Sequence, residues 1–461
     1  MEPLSLDFLC TMVEGRRVGG DGDLLVQRVV TDSRQIRAGD LFVCLEGDRF
    51  DGHEFANKAL RSGAAAVLVH REGLDLGPAI VVPDTLRAFG RLGRAVRVRA
   101  RLGKDPLVVA VTGTNGKTGT KDLTSAALAC QRETVSSRAS FNNDIGVPIT
   151  LLDIQPSTGA VVVEVGTNAP GEIERLAGLV EPEVAIITNV HAGHLEGLRD
   201  LNGVLQEKGA LLDGLTGRKI SILNRDDANY EALRDRAPGE VVTFGHDSRA
   251  DLHALDVRCA ANGTHFRVND GRAVQLAHLG RHSVLNALAA LACAGVAGVD
   301  PVEAAAALAD IAPPPGRLQL RTLGRLTVLD DSYNANPGSL AAAAATLDEV
   351  GLGGRRVFVV GDMLELGREA SGIHRAAGRT LAGARPELLV TVGRFAEDLL
   401  RGAIDAGVAP ENCVACADRD CAAEVLERQL VPGDVVLVKG SRGMALDTLI
   451  QNLDSEATAV S

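Results

Sequence analysis

The stretch Val-Val-Ala-Val-Thr-Gly-Thr-Asn-Gly-Lys-Thr, residues 108–118, decides the fold of this chain. A short apolar strand over Leu107–Val111 runs into a glycine-containing turn, and a helix is predicted over Lys121–Cys130. This order is typical of a phosphate-binding loop, because glycines let backbone N–H groups face an anion and the helix N-terminus adds partial positive charge. A chance glycine-rich turn is the alternative, and the ordered strand, turn, Lys-Thr pair and helix favour the phosphate loop. The residues assigned to it are Gly113, Thr114, Asn115, Gly116, Lys117, Thr118 and Gly119.

Two side chains of this loop carry its chemistry. Lys117 would reach the outer phosphates, and the hydroxyl of Thr118 would hold Mg²⁺. The general template asks for a glycine five residues before Gly116, where this chain has Val111. The usable motif is therefore the narrower Thr-Gly-Thr-Asn-Gly-Lys-Thr.

Composition limits the kind of protein this is. A chain of 461 residues is too long for one core, so several domains are expected. No apolar run reaches the length of a membrane span, and the N-terminus lacks the pattern of a signal peptide. The eight cysteines are scattered, which suits a reducing cytoplasm, and we expect a cytoplasmic protein. The net charge of −12 argues against a nucleic-acid surface.

The chain divides into three predicted α/β domains, over residues 1–103, 104–314 and 315–461. Helical stretches alternate with strands in the second, which predicts a doubly wound, mostly parallel sheet around the phosphate loop. A triple proline at 313–315 marks its end, and the third domain is a smaller, Rossmann-like unit. A frayed tail is expected from Leu453 onward. The strands predicted for the second domain are Leu107–Val111, Ala160–Val165, Val184–Thr188, Ile220–Asn224 and Val241–Phe244.

Polar residues fall at the carboxyl ends of these strands, where ligands bind in such sheets. Glu164 closes an apolar strand opposite the phosphate loop, which favours a Mg²⁺ ligand over a salt-bridged strand end. His194 follows the next strand, and a metal ligand and a packed residue are equally compatible with it. Lys208 lies among apolar residues, and the sequence alone favours a helix lysine whose amine reaches water. Burial would instead lower its pKa and free a neutral amine.

The outer domains carry further candidates. In the third, the polar run Asp330–Pro337 ends a strand, and Arg317 lies at the domain junction, from which it could reach a terminal phosphate on closure. In the first, Ser33 and Arg34 form a turn that could bind a diphosphate, although a plain turn is the favoured interpretation of those two residues alone.

Taken together, these motifs resemble the Mur ligases, the ATP-dependent amide-forming enzymes of peptidoglycan precursor synthesis. The resemblance covers essentially the whole chain. It rests on the loop at 112–118, Glu164, Asn189-Val190 with His194, Lys208, His282 with Asn286, and Asp331-Ser332. Further sequence motifs, such as Phe141–Pro148 and Gly361–Gly367, are similar to those of the family members that add D-alanyl-D-alanine to UDP-N-acetylmuramoyl-tripeptide.

The resemblance implies a mechanism and a set of roles. ATP would phosphorylate the tripeptide carboxylate, and the amine of D-alanyl-D-alanine would displace phosphate. One Mg²⁺ would be held by Thr118 and Glu164, and a second by His194 and a carbamylated Lys208. Lys117 and Arg317 would neutralise the γ-phosphate. Asn286 would meet the adenine and Asp331 the ribose, and His282 is also implied to bind the nucleotide. The implied substrate-binding residues are Ser33, Arg34, Asn142, Asn143, Thr167, Asn168, Asn334, Asn336 and Asp362.

Alternatives from other classes stay open at this point. The chain could be a Mur-type ligase for a single amino acid, or a folylpolyglutamate-like ligase, although the first domain and the Tyr333–Pro337 run speak against the latter. It could also be a phosphate-loop ATPase that acts as a switch. We expect a monomer without nucleic-acid partners, and assign no role to His191.

Overall fold

The computed structural model describes residues 2–47, 50–71 and 77–459, with the side chains of 455–459 left out. It contains three main sheets, each with helices packed against it, and we name the three domains after them. In the part of the chain that is described, no helix is long and apolar enough to cross a membrane.

The first domain has a sheet in the order β2-β9-β8-β5-β4, parallel except where β2 meets β9. A Cβ atom on Gly93 in α3 would lie 2.9 Å from the Cα of Pro148, so this last helix packs tightly on the central domain. The elements are β1 (Leu4–Ser5), α1 (Leu6–Met12), β2 (Arg16–Val18), β3 (Leu25–Val26), β4 (Arg28–Val30), β5 (Asp40–Val43), β6 (Glu46–Gly47), β7 (Phe50–Asp51), α2 (Ala56–Arg61), β8 (Ala66–Val69), β9 (Ala79–Val81) and α3 (Thr85–Ala100).

The central domain has the largest sheet, in the order β11-β12-β10-β13-β14-β15-β16-β17-β18. It is parallel from β11 to β16 and antiparallel over its last three strands. The elements are β10 (Leu107–Thr112), α4 (Lys117–Ala129), β11 (Thr134–Ser136), α5 (Gly146–Leu152), β12 (Ala160–Glu164), α6 (Glu172–Val180), β13 (Val184–Ile187), α7 (Leu195–Leu198), α8 (Leu201–Asp213), β14 (Ile220–Asn224), α9 (Tyr230–Arg236), β15 (Glu240–Gly245), β16 (Leu252–Ala260), β17 (Gly263–Val268), β18 (Ala273–Leu276), α10 (Arg281–Val296) and α11 (Pro301–Ala307).

The third domain has a sheet in the order β19-β20-β24-β21-β22-β23, antiparallel only between β19 and β20. The elements are β19 (Gln319–Leu323), β20 (Leu326–Asp331), α12 (Pro337–Val350), β21 (Arg356–Gly361), α13 (Ala370–Ala382), β22 (Leu388–Val392), α14 (Ala396–Asp405), β23 (Cys413–Cys416), α15 (Arg419–Gln429), β24 (Val435–Lys439) and α16 (Asp447–Ala459).

The predicted α/β class and the mostly parallel central sheet are confirmed. The helix after the phosphate loop was placed too late, because it begins at Lys117 and not at Lys121. The frayed tail is also wrong as far as residue 459, since α16 continues to Ala459 and buries Leu449 and Ile450. The domain boundaries remain predictions.

Candidate active site

The phosphate loop joins β10 to α4 with a backbone that only glycine tolerates at two points. Gly113 has a φ of 145° and Gly116 a φ of 80°. A Cβ atom on Gly113 would lie 1.9 Å from Oγ1 of Thr188, and one on Gly116 would lie 2.5 Å from Oδ1 of Asn286. The backbone can therefore approach its neighbours closely and leave the N-terminus of α4 open to a ligand.

Lys117 and Thr118 open that helix. The Nζ of Lys117 donates to the carbonyl oxygens of Gly113 at 2.8 Å and Thr114 at 3.1 Å, so the amine lies within the loop. Desolvation lowers the pKa of Lys117, while Glu164 raises it and Arg317 lowers it further. The Thr118 hydroxyl lies 3.3 Å from Nη2 of Arg317, which donates to it from the third domain.

Glu164 ends β12, in register with Val111 at the end of β10. Its side chain is buried, and its Oε1 accepts a hydrogen bond from Nδ2 of Asn142 at 2.8 Å. Its Oε2 has no hydrogen-bond partner among the described residues. A buried carboxylate oxygen left unpaired is costly, and a bound cation would satisfy it.

Lys208 is fully buried on α8, and its Nζ has no hydrogen-bond partner within the described chain. The interpretation of a lysine whose amine reaches water is therefore wrong. Burial, and then the positive charge of Lys117, lower the pKa of Lys208 well below its usual value. The neighbouring Glu207 is engaged elsewhere, because its carboxylate accepts hydrogen bonds from the N–H groups of Gly171 and Ile173. A neutral amine in this setting is a nucleophile rather than an ion-pair partner.

His194 directly precedes α7, and its imidazole meets the third domain. Its Nδ1 lies 2.6 Å from Oε2 of Glu365, and this hydrogen bond lowers the pKa of Glu365.

The third domain contributes a buried ion pair and an aromatic contact. The carboxylate of Asp331, at the end of β20, binds Nζ of Lys439 at the end of β24. Burial raises the pKa of Asp331, and the Lys439 ammonium opposes that rise. The guanidinium of Arg317 stacks 4.3 Å from the ring centroid of Tyr333. Both contacts lie within the third domain, and the four residues line the cavity that this domain shares with the phosphate loop.

A cavity of about 290 Å³ lies between the central domain and the third domain. Glu164 and Lys208 lie outside its lining. The predicted residues that line it are Thr114, Asn115, Gly116, Lys117, Thr118, Gly119, His194, His282, Asn286, Arg317, Asp331, Asn334 and Asn336.

Three of the residues that line this cavity lie on α10 or just before it. Asn286 lies behind the phosphate loop, where its Oδ1 accepts from Oγ1 of Thr120 at 3.2 Å. His282 lies one turn earlier, and burial lowers its pKa to about 4, with smaller contributions from Lys439 and His278. Both ring nitrogens of His278 lack a hydrogen-bond partner in the described chain, and burial lowers its pKa to about 4.

Most of the predicted substrate residues lie outside that cavity. Asn143 accepts from the N–H groups of Ile145 and Gly146, and the Thr167 hydroxyl donates to Glu207 at 3.1 Å. The backbone N–H of Asn168 donates to Glu172.

The lining of that cavity also leaves out three other predicted substrate residues, Ser33, Arg34 and Asp362. Arg34 follows Ser33 in a 3₁₀ turn of the first domain and is paired with Asp32, with most of its side chain exposed. Asp362 is buried, and its carboxylate accepts hydrogen bonds from the N–H groups of Arg394 and Phe395.

Sequence reasoning missed Glu207, His278, Glu365 and the role of Lys439 as partner of Asp331. Glu207, Glu365 and Lys439 each contact a residue far away in the chain, and His278 is set apart by its burial, so neither spacing nor composition could reveal these features. The one available signal is the position of Lys439 at the end of an apolar run, where a strand that ends in the sheet brings it beside Asp331.

Among the residues that the structure describes, no group of three or more histidine, cysteine, aspartate and glutamate side chains is arranged so that it could hold a metal ion. The groups near the loop that could coordinate a metal ion are the Thr118 hydroxyl, the unpaired oxygen of Glu164 and the His194 imidazole. Hydroxyl and carboxylate oxygens suit Mg²⁺, which usually completes its shell with water and substrate phosphates. These residues therefore fit Mg²⁺ bound together with a nucleotide, without forming a cage made of protein alone.

Comparison with known proteins agrees with this architecture. The family "Mur ligase family, catalytic domain" matches residues 25–95, "Mur ligase middle domain" matches 111–294, and "Mur ligase, glutamate ligase domain" matches 316–442. The chain belongs to the Mur ligase family. It is an ATP-dependent ligase that forms an amide bond, which confirms the predicted enzyme class.

Several relatives match over nearly the whole length of the chain. The UDP-N-acetylmuramoyl-tripeptide–D-alanyl-D-alanine ligase of Escherichia coli K12 is 36% identical over 99% of this chain and 100% of its own length. MurF from Acinetobacter baumannii superposes with a TM-score of 0.90 at 30% identity, covering 99% of both chains. MurF ligase from Thermotoga maritima, solved in complex with ADP, has a TM-score of 0.82 at 26% identity over 95% of this chain and 100% of that one.

Proposed function

We propose that this protein joins D-alanyl-D-alanine to UDP-N-acetylmuramoyl-tripeptide with hydrolysis of ATP to ADP and phosphate. The observation that carries the proposal is the contact of Arg317 with Thr118, which brings the third domain to the phosphate loop. A second cavity, about 610 Å³, shares Thr118 and Arg317 with the cavity at the loop. A nucleotide in one cavity and a carboxylate in the other would meet at these two residues.

The first step moves the γ-phosphate of ATP onto the carboxylate of the tripeptide. Both reactants are anions, so positive charge must lie between them. Lys117 and Arg317 supply it from opposite domains. The acyl phosphate that forms is then attacked by the dipeptide amine, and the tetrahedral intermediate collapses with loss of phosphate. Mg²⁺, when bound, supplies further positive charge at the phosphate oxygens.

The residues that would hold Mg²⁺ are Thr118 and Glu164 for one ion, and His194 with a carbamylated Lys208 for a second. Carbamylation joins the neutral Nζ of Lys208 to the carbon of CO₂ and releases one proton, giving an anionic group with two oxygen donors. The lowered pKa and the unpaired, buried Nζ support this modification. Oxygen donors also suit Mg²⁺ better than an imidazole alone.

The remaining roles follow the same proposal. His282 and Asn286 would lie along the nucleotide, and Asp331 would contact the ribose. Ser33 and Arg34 would bind the uridine diphosphate, Asn142, Asn143, Thr167 and Asn168 the peptide-bearing sugar, and Asn334, Asn336 and Asp362 the dipeptide. We further infer a cytoplasmic enzyme, since its proposed substrates are nucleotide-activated precursors.

The test is phosphate release from ATP in the presence of UDP-N-acetylmuramoyl-tripeptide and either D-alanyl-D-alanine or single amino acids. Release that requires both the tripeptide and the dipeptide, with a pentapeptide product by mass, is the expected result. Release supported by a single amino acid would assign the chain to a different Mur-type reaction. Release without any acceptor would favour an ATPase switch, and the Lys117→Ala variant controls for contaminating ATPases.

A further inference from the structure

Glu365 connects the third domain to the segment that carries His194. It lies on the loop between β21 and α13, and its Oε2 lies 2.6 Å from Nδ1 of His194. Its carbonyl oxygen also accepts a hydrogen bond from the N–H of Glu196 at 3.0 Å. Side chain and backbone of one residue therefore both contact the His194 segment.

The backbone on both sides of this contact is strained. His194 has a φ of 54° and Glu365 a φ of 62°, in the left-handed region that residues other than glycine rarely adopt. Such conformations persist only where surrounding contacts determine them, and they cluster at functional sites. Gly367, with a φ of 64°, has the same left-handed backbone, and a Cβ atom there would be in ordinary van der Waals contact with the Cα of Glu196 at 3.6 Å.

The contact has a defined effect on the imidazole. A carboxylate that accepts a hydrogen bond from Nδ1 fixes the proton on that nitrogen and leaves the lone pair on Nε2. It also restricts rotation of the ring. His194 lines the same cavity as Lys117 and Thr118, so an oriented Nε2 is what a cation near the phosphates would need.

We propose that Glu365 is a positioning residue that orients His194 for cation binding only when the third domain is closed on the central domain. The inference rests on the proposed function, in which His194 helps to hold the second metal ion. It makes the loop between β21 and α13 a sensor of closure, because opening withdraws the carboxylate and frees the ring. By reciprocity, a cation bound at His194 favours the closed arrangement by the same factor.

The test uses Mn²⁺ as the probe, in the full-length protein with a non-hydrolysable ATP analogue and UDP-N-acetylmuramoyl-tripeptide. Electron paramagnetic resonance counts bound Mn²⁺ and gives the affinity of each ion. Glu365→Gln, which keeps the shape but removes the charge, should weaken the second Mn²⁺ by about tenfold or more and leave the first unchanged. Glu369→Gln, an exposed neighbour on the same loop, is the matched control and should change neither affinity.

A second readout separates orientation from mere domain packing. Nitrogen-15 spectra of labelled histidines, with the His194 signal assigned by its loss in His194→Gln, should show a protonated Nδ1 in the wild type and a mixture of tautomers in Glu365→Gln. Unchanged Mn²⁺ affinity and tautomer in Glu365→Gln would overturn the inference alone. Unchanged Mn²⁺ affinity in His194→Gln would remove the metal role of His194 and the inference with it. Pentapeptide formation by the wild type tests the proposed function separately.

Discussion

Asn115 of the phosphate loop and Asn336 of the third domain form a reciprocal pair of amide hydrogen bonds. Nδ2 of Asn336 donates to Oδ1 of Asn115 at 2.6 Å, and Nδ2 of Asn115 donates to Oδ1 of Asn336 at 3.3 Å. Asn336 is also the N-cap of α12, where its Oδ1 accepts from the N–H of Ser339. One side chain thus starts a helix in one domain and contacts the nucleotide loop of another.

These two roles of Asn336 can be separated by substitution. Asp caps a helix as well as Asn does but cannot donate to Asn115, so Asn336→Asp should lower kcat/KM for ATP by about tenfold with little change in thermal stability. Asn336→Ala loses the cap as well and should also cost about 1 kcal/mol of stability. Steady-state kinetics and thermal unfolding of both variants check this. Normal kinetics in Asn336→Asp, with the loss of stability confined to Asn336→Ala, would mean that the side chain serves the helix alone.

Lys117 is expected to be indispensable for turnover. Its amine lies among the loop carbonyls, in position to follow the charge of the transferring phosphoryl group. Lys117→Ala should reduce kcat by about a thousandfold or more, since a positioned charge in a desolvated site contributes several kcal/mol at the transition state. The measurement is phosphate release, with circular dichroism to verify the fold. The control is Lys58→Ala, an exposed helix lysine, and activity within a few-fold of wild type in Lys117→Ala would contradict the loop assignment.

Lys208 offers a chemical test. Lys208→Ala should be inactive, because it removes both proposed oxygen donors, and a small carboxylate such as acetate should restore part of the rate. Wild-type activity should fall when CO₂ and bicarbonate are stripped from the buffer and return when ¹³C-bicarbonate is added, with a carbamate signal in the ¹³C spectrum. Near-normal activity of Lys208→Ala without additives, or no response of the wild type to bicarbonate, would reject the carbamate.

The sequence predicted those parts of the structure that depend on local pattern. Strand Ile220–Asn224 has the predicted bounds, because continuous apolar runs in parallel sheets are buried on both faces. The predicted helix start at Lys121 is too late because Gly119 and several threonines weaken the helical pattern of the first turn. The open N-terminus at the phosphate loop, and not helix propensity, fixes the start of α4. The tail as far as residue 459 continues α16, whose Leu449 and Ile450 are buried in the core of the third domain, and local composition did not reveal this packing.

The candidate site was predictable in its chemistry but less so in its contacts. The position of Glu164 at a strand end predicted a metal ligand, whereas Lys208 was given a metal role only by the family resemblance, and the structure adds that each has an unpaired buried atom among the described residues. The buried partners of Asp362 are the N–H groups of residues 394 and 395, which lie in a different loop. Such contacts arise from tertiary packing, so a polar residue in a motif can have a structural role that its neighbours in sequence do not indicate.

His278 should make stability depend on pH. Burial lowers its pKa from an ordinary 6.5 to about 4, so the folded chain keeps it neutral while the unfolded chain protonates it near pH 6.5. His278 leaves stability unchanged above pH 6.5 and lowers it as the pH falls from 6.5 through and below about 4, by about 3 kcal/mol for a shift of this size. His278→Leu should remove this loss. The urea midpoint of the variant should therefore rise relative to that of the wild type as the pH is lowered from 8 to 4.5. The chain has no Trp and 2 Tyr, so far-UV circular dichroism is the suitable signal. His265→Leu, on a half-buried strand position away from the cavity, is the control, and a pH-independent difference for His278→Leu would show that His278 is not buried in its neutral form.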